Sequence, residues 1–351
     1  MIKEKIIENI GIIYLDRPKI INSLNLEMVK DIEKILKKWE NDDKIKAVLF
    51  DSLCQKGFCA GGDLKTIYND YLLNDNCKNK DEFYEEEFIL DKYVKDYKKP
   101  IISHYFGIVM GGGIGLTINS DFIVCDESVN WAMPETRLGF VPDVGVCKHI
   151  SKLPQALGQY LGLCGESLES SDLIKYNLAN LYLDSNKYKE FLDILIDLSK
   201  EYEKEELIEN LKIKTEKLKT ENRQSKIDKD MEKIEKYFSY NSFDKIIENL
   251  KANKEDEFAQ KTLENLKDRY IFMLQVQFEK YFICKNLSKD QVFDLDLKIL
   301  KYARKTGSMQ EGIRSLIIDK ESANWKEKSL DQVSLLKVKD LLGIEKLYNE
   351  R

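Results

Sequence analysis

The chain is 351 residues long, 43% hydrophobic and 34% charged, which is enough for one large core or two domains. Its 56 basic and 62 acidic residues leave a net charge of -6, and that near balance excludes a general nucleic-acid binder resting on a basic surface. No uninterrupted apolar run approaches about 18 residues, so no membrane-spanning helix is expected.

The first stretch, "MIKEKIIENIGIIYLD", carries acidic residues and enters a strand almost at once, with no secretory signal or mitochondrial presequence visible. "IGIIYLD", residues 10–16, reads as a strand. "LEMVKDIEKILKKWEND", residues 26–42, reads as a helix. Asn25 is its N-cap, and Leu26, Val29, Ile32, Leu36 and Trp39 share one face. "IKAVLFDS", residues 45–52, is short and nearly continuous in apolar side chains, the pattern of a parallel strand covered on both faces. "PIISHYFG" (100–107), "DFIVCD" (121–126) and "VNWAMPE" (129–135) read as further strands, each separated from the next by a turn or a helix. An α/β class follows.

The texture then changes. All five prolines lie at or before Pro154, and 14 of the 17 glycines at or before Gly165. Residues 186–220, 227–252 and 256–285 are Lys/Glu-rich with spaced apolar residues and no strict heptad. They read as solvated helices on a globule rather than a coiled coil. No internal repeat is visible. The expected division is a core over 1–185, which carries the candidate site, and a mostly helical region over 186–351 packed on that core or extending it. Seven cysteines, at 54, 59, 77, 125, 147, 164 and 284, show no tight pairing, and there are only two histidines. Reduced thiols and no metal site are expected.

Chemistry concentrates in three places. "GIVMGGGIGLTINSDF", residues 107–122, puts Gly111, Gly112 and Gly113 before an apolar helix expected to begin near Ile114. A helix start offers unpaired N–H groups and about half a positive charge, and glycine lets a ligand oxygen approach that backbone. The ligand could be a phosphate or an oxyanion, and tight helix–strand packing is the competing reason for such runs. No Gly-Lys-Ser/Thr ending and no correctly spaced acidic residue follows, which disfavours both nucleotide fingerprints. "GFCAGGDLK", residues 57–65, repeats the arrangement: Gly61 and Gly62 follow a strand and precede a helix. Two such corners could each direct one N–H at a single carbonyl oxygen, and a carbonyl gaining charge needs about two donors. "WAMPETRLGFVPDVG", residues 131–145, fixes Glu135 and Asp143 behind prolines. Each could be a helix cap; beside two oxyanion corners they read better as an acid/base pair. His104, on an apolar strand, reads as a packed core residue. Asp63 reads as a cap. Cys59 and Cys147 lack the paired histidine that a thiol nucleophile needs.

"FCAGGD", "MGGGIGL" and "AMPETRLGFVPDVG" resemble the crotonase, or enoyl-CoA hydratase/isomerase, superfamily. With "LDRPKIINSLNLEMV", "SKIDKDMEKIEKYFS", "EGIRSLIIDK" and "NWKEKSLDQV", the resemblance extends over nearly the whole chain and is nearest the 3-hydroxyisobutyryl-CoA hydrolase branch. It implies a spiral of ββα units followed by helices, and an acyl-CoA whose thioester oxygen is held by the N–H groups of Gly62 and Gly112. It also implies two positions for the glutamates of a hydratase, those of Gly115 and Glu135. With glycine at 115 the chain should not be an ordinary hydratase. The hydrolase branch pairs Glu135 with Asp143, and both are present. Glu87 matches a family glutamate near the acyl group, although it could be a solvated helix residue. Lys56 and Lys65 flank the first corner and could meet CoA phosphates.

The activity implied is hydrolysis of a short 3-hydroxyacyl-CoA, as in valine breakdown. No cofactor is implied, CoA being part of the substrate. An isomerase using Glu135 alone is the second enzyme reading. A structural subunit of a mitochondrial ribosomal particle is the reading of another class, and a homo-oligomer is a further partner. The resemblance implies the mitochondrial matrix, with the cytoplasm as the alternative.

Overall fold

A computed structural model describes residues 1–73, 81–221 and 223–350; Cys77 lies outside the described residues. The strands are β1 (Ile2–Ile7), β2 (Ile10–Leu15), β3 (Ala47–Ser52), β4 (Gly57–Cys59), β5 (Ile101–Tyr105), β6 (Ile108–Met110), β7 (Phe122–Cys125), β8 (Asn130–Ala132) and β9 (Leu181–Tyr182). A six-stranded sheet runs in the order β1-β2-β3-β5-β7-β9, and a three-stranded sheet in the order β4-β6-β8. From β2 onward the large sheet is parallel, and β1 closes its edge antiparallel.

Three times in succession the chain passes one strand through the large sheet, a short strand through the small one, and then turns into a helix. β3 and β4 lead to Leu64–Leu73, β5 and β6 to Gly112–Thr117, and β7 and β8 to the 3-10 helix Glu135–Leu138. This is the ββα pattern of the expected fold class. The three helices have 10, 6 and 4 residues, so the repeat lies in the path of the backbone and leaves no repeat in the residues. It also adds β6, which the sequence reading passes over, between the strand at 100–107 and the glycine run.

By compactness the chain forms two units, each made of separated segments. One takes Met1–Asp63, Glu82–Trp131 and Leu168–Ile227; the other takes Leu64–Asp81, Ala132–Ser167 and Asp228–Arg351. The sequence reading instead divides the chain once, after residue 185. Glycine and proline density reports where the chain turns, and it carries no information about which segments pack together.

In the first unit, alternate residues of the large sheet, Ile10, Ile12, Ala47, Leu49, Phe122 and Val124, are fully buried beneath Phe191, Leu195, Leu207 and Leu211. These come from the helices Tyr188–Ser199 and Lys204–Thr215, so the start of the expected helical region completes the sheet's core. Burying each such side chain contributes about 1.5–3 kcal/mol. The helix Leu26–Glu40 forms as read, its N-cap Asn25 accepting from Met28 N–H; Met28 joins Val29, Ile32, Leu36 and Trp39 on the buried face, and Leu26 is half-buried. β3 is buried along nearly its whole length, as its apolar run requires.

The second unit is helical. The stretches read as 227–252 and 256–285 each contain two helices, Lys226–Phe238 with Phe243–Ala252, and Glu257–Lys267 with Ile271–Cys284. Of these, Ile271–Cys284 is buried almost throughout. Lys289–Thr306 follows, closed by Gly307 at φ 79°. Among the described residues no helix is long and apolar enough to cross a membrane.

Candidate active site

The first corner belongs to the first unit. Its chain leaves β4 through Ala60, Gly61 and Gly62 and is strapped to the segment 17–24. Ala60 N–H donates to Ile21 C=O at 2.9 Å, Leu24 N–H to Gly61 C=O at 2.7 Å, and Asp63 N–H to Leu24 C=O at 2.8 Å. The strap is itself pinned by Asn22. Fully buried at φ 55°, Asn22 donates to Ser52 Oγ at 2.7 Å and Phe58 C=O at 2.8 Å, and accepts from Arg17 N–H at 2.7 Å. Arg17 reaches the Asp63 carboxylate at 2.8 Å, so Asp63 braces the corner through an ion pair. The bridge between Leu24 and Gly62 uses the Gly61 carbonyl and the Asp63 N–H, and leaves the Gly62 N–H without a main-chain acceptor among the described residues. Asn22→Ala should destabilise the protein by about 1–3 kcal/mol, because buried main-chain groups lose their partner. Denaturant unfolding measures this, and an unchanged midpoint would contradict it.

The second corner stands beside the first. Gly61 adopts φ 95°, and a methyl group placed on it would lie 3.5 Å from Gly111 Cα and 3.6 Å from Gly112 N. Gly111 (φ 50°, ψ -125°) turns the chain out of β6 into Gly112–Thr117. The helix starts at Gly112, two residues earlier than expected. As its first residue, Gly112 has an N–H that no carbonyl one turn back can serve. The two glycine corners are therefore neighbours within the first unit. Glu87 joins them. It lies on Glu82–Lys95 and is buried, whereas Glu85 beside it is exposed. Its Oε1 occupies the space a side chain at 112 would need, 2.1 Å from an ideal Cβ. A side chain at 112 would have to displace the Glu87 carboxylate, and Glu87 is a buried residue rather than a solvated one. Asp91, one turn further along the same helix, is also buried, which the sequence reading did not single out.

The carboxylates of the third motif belong to the second unit. Glu135 is buried and opens the 3-10 turn that Gly139 ends at φ 71°. Beneath the turn lies Arg269, a residue outside every motif. Its guanidinium donates to Thr136 Oγ1, Cys164 C=O and Asn265 Oδ1, and burial pushes its pKa down to about 10, so it remains a cation at neutral pH.

Asp143 is buried behind Pro142, where the chain turns through Val144 at φ 48° and Gly145 at φ 76°. Its carboxyl is pushed up to about 8, first by burial and then by the Asp296 carboxylate, against the opposing pull of Lys280. Burial and the Asp296 charge both favour the protonated form of Asp143. Because the folded value lies above the ordinary 3.8, the stability tied to the protonated form is complete below that value and is lost as pH rises towards about 8.

The remaining candidates are placed as follows. Lys56, in the first unit, and Lys65, in the second, are both exposed. His104 is packed: its Nδ1 is 3.0 Å from Asp51 Oδ1 and its ring stacks on Tyr188 at 3.6 Å. His149 is held neutral, its pKa pushed down to about 3 by burial and by Lys289, Lys152 and Lys148. The six described cysteines are free and buried, and burial pushes the Cys59 thiol up to about 12, far from a working nucleophile.

The chain is similar to proteins already known. The profile of the family described as enoyl-CoA hydratase/isomerase matches residues 10–342. The mitochondrial 3-hydroxyisobutyryl-CoA hydrolase of Xenopus laevis is 33% identical over 326 residues, covering 92% of this chain and 84% of that protein. The protein of the same name from Homo sapiens is 32% identical over 335 residues, with 92% and 83% covered. Among solved structures, a carnitinyl-CoA dehydratase from Mycobacterium thermoresistibile superposes with a TM-score of 0.85 at 27% identity, over 97% of this chain and 96% of that one. An enoyl-CoA hydratase from Rhodobacter sphaeroides shares the fold, with a TM-score of 0.86 at 24% identity, 98% of this chain and 97% of that one being covered. The chain belongs to the enoyl-CoA hydratase/isomerase family.

Proposed function

We propose that the protein hydrolyses 3-hydroxyisobutyryl-CoA to 3-hydroxyisobutyrate and free CoA. The observation that carries this reading is the paired glycine corner followed by glycine, not glutamate, at 115. The fold alone serves several reactions, as the names of the solved relatives illustrate, so the residues have to choose between them. Hydration of a double bond calls on carboxylates at both 115 and 135, and only Glu135 is there. Thioester hydrolysis asks for an oxyanion site and one activated oxygen. Relatives named as 3-hydroxyisobutyryl-CoA hydrolases, aligned over 92% of the chain, support the same choice.

In this reading the thioester oxygen accepts hydrogen bonds from Gly62 and Gly112 N–H. Glu135 either removes a proton from water as it attacks the carbonyl carbon or attacks that carbon itself to form an anhydride, which water then opens. Either way the C–S bond breaks, and the CoA thiolate leaves and takes up a proton. Asp143, its protonated form favoured by burial, binds the hydroxyl of the acyl group and assists that transfer. Glu87 borders the acyl group, and Lys56 and Lys65 meet the CoA phosphates. The mitochondrial matrix is the compartment proposed, in keeping with the names of the relatives.

The test is thiol release by the purified protein from a panel of acyl-CoAs. 3-Hydroxyisobutyryl-CoA should be turned over best, and crotonyl-CoA should show no hydration. Robust hydration of crotonyl-CoA, or no thiol release from any 3-hydroxyacyl-CoA, would overturn the assignment.

A further inference from the structure

Behind Asp143 lies an ion pair whose side chains are both fully buried. Lys280 Nζ is 2.5 Å from Asp296 Oδ1. Lys280 sits on Ile271–Cys284 and Asp296 on Lys289–Thr306, two helices without a motif residue of the reaction. Each partner also reaches the turn that carries Asp143, one on either side of it. The Lys280 ammonium donates to Pro142 C=O, and Asp296 Oδ2 accepts from Gly145 N–H at 2.9 Å. Between those anchors Val144 holds φ 48°, a left-handed conformation that a β-branched residue adopts only when its surroundings impose it.

A buried ion pair is poor evidence of stability, since desolvation offsets its attraction and apolar residues of similar size often serve better. Its place at the back of one turn calls for a different account. We infer that Lys280 and Asp296 are positioning residues for Asp143: together they clamp the main chain before and after it, and they set the charge that its carboxyl faces. This rests on the reading of Asp143 given above. The ionisable groups around the pair are few. Asp143 is influenced by Asp296 and Lys280, and Lys280 is influenced in turn by the thiols of Cys147 and Cys284, hydrogen-bonded to each other. Asp296 holds Lys280 as an ammonium, and burial together with the Asp296 carboxylate favours the neutral acid at Asp143.

The two charges have opposite effects, and that separates the proposal from a merely structural role. In Asp296→Asn the like charge is gone and the ammonium remains, so the Asp143 carboxyl should titrate at lower pH. Thiol release from 3-hydroxyisobutyryl-CoA, followed by the full-length protein between about pH 6 and pH 10, should show the alkaline limb of kcat/KM moving down by on the order of one pH unit. Lys280→Arg, which keeps the charge, should leave the limb in place, and Lys280→Met should not move it down. A limb common to all three variants and the unmodified protein would overturn the inference. Should Asp296→Asn not fold, the neutral double variant Lys280→Met with Asp296→Leu takes its place. It should melt cooperatively yet lose roughly 10- to 100-fold in kcat, because the turn is no longer clamped, with KM little changed. Full kcat in that variant would overturn the inference as well. The reading of Asp143 is tested separately: Asp143→Asn at full activity would defeat that reading and the clamp together. A crippled Asp143→Asn beside unaffected pair variants would defeat the clamp alone.

Discussion

Glu135→Gln is expected to lower kcat for 3-hydroxyisobutyryl-CoA by about 10²- to 10⁴-fold while the CoA ester still binds, since a positioned general base contributes a factor of that size. The substitution keeps the shape of the side chain and removes its charge and basicity. The fold should tolerate it. The turn Glu135–Leu138 is held from below by Arg269, which donates to Thr136 Oγ1 and to the Cys164 carbonyl, and neither contact involves the Glu135 carboxylate. Arg269 also keeps Asn265 as a partner, so removing one negative charge nearby leaves it satisfied. Isothermal titration with a non-hydrolysed CoA ester should give an affinity close to that of the unmodified protein, and thermal unfolding shows that the variant is folded. Wild-type turnover would remove Glu135 from the reaction. Loss of binding in step with turnover would recast it as a binding residue. The same variant frames the choice between the two routes. In ¹⁸O water, label entering the Glu135 carboxylate of the active enzyme marks the anhydride route, with water opening the anhydride at the glutamyl carbon.

Local pattern made much of this protein legible. The parallel strand at 45–52 announced itself by an unbroken apolar run, and the helix Leu26–Glu40 by one apolar face and a capping Asn25. Glycines flagged both corners, because few other residues can take φ 95° at 61 or share space with a carboxylate oxygen at 112. What stayed hidden depends on contacts between residues far apart in the chain. β6 is three residues long, too short for alternation to register, and it exists because β4 gives it a parallel partner. That residues 186 onward pack on the core was expected, but not which side chains do it: charged outer faces dominate the composition of 188–215, while Phe191, Leu195 and Leu211 pack against the large sheet. Asn22 belongs to none of the patterns read in the sequence, because its pairing with Ser52 and Phe58 spans 30 and 36 residues. Lys280 left no trace either: Gln275, Gln277 and Glu279 share its helix Ile271–Cys284, and only the fold shows that all four are buried. The sequence could not say that its partner is Asp296 or that both face the Asp143 turn.

The second large effect expected is at Gly112. Gly112→Pro should lower kcat/KM by about 10²- to 10³-fold beyond whatever Gly112→Ala does, the loss associated with removing one oxyanion donor and equal to about 3–4 kcal/mol of barrier. Two substitutions are needed because any side chain at 112 has a second consequence. A Cβ there falls 2.1 Å from Glu87 Oε1, 3.3 Å from its carboxyl carbon and 3.4 Å from Leu24 Cδ1, so alanine already forces the buried Glu87 carboxylate to move. Proline brings the same Cβ and in addition deletes the N–H. Proline is well tolerated at the first position of a helix, where its missing donor breaks no intrahelical bond, and that is the place Gly112 holds in Gly112–Thr117. The ratio of the two variants therefore isolates the donor from the crowding. Thiol release gives the ratio, and thermal unfolding shows whether both variants retain the fold. If proline and alanine are equally impaired, the collision with Glu87 accounts for everything and the Gly112 N–H does not touch the developing charge. If alanine is mild and proline severe, the glycine run is there to present an amide to an oxygen, and the neighbouring carboxylate has only to leave room for it.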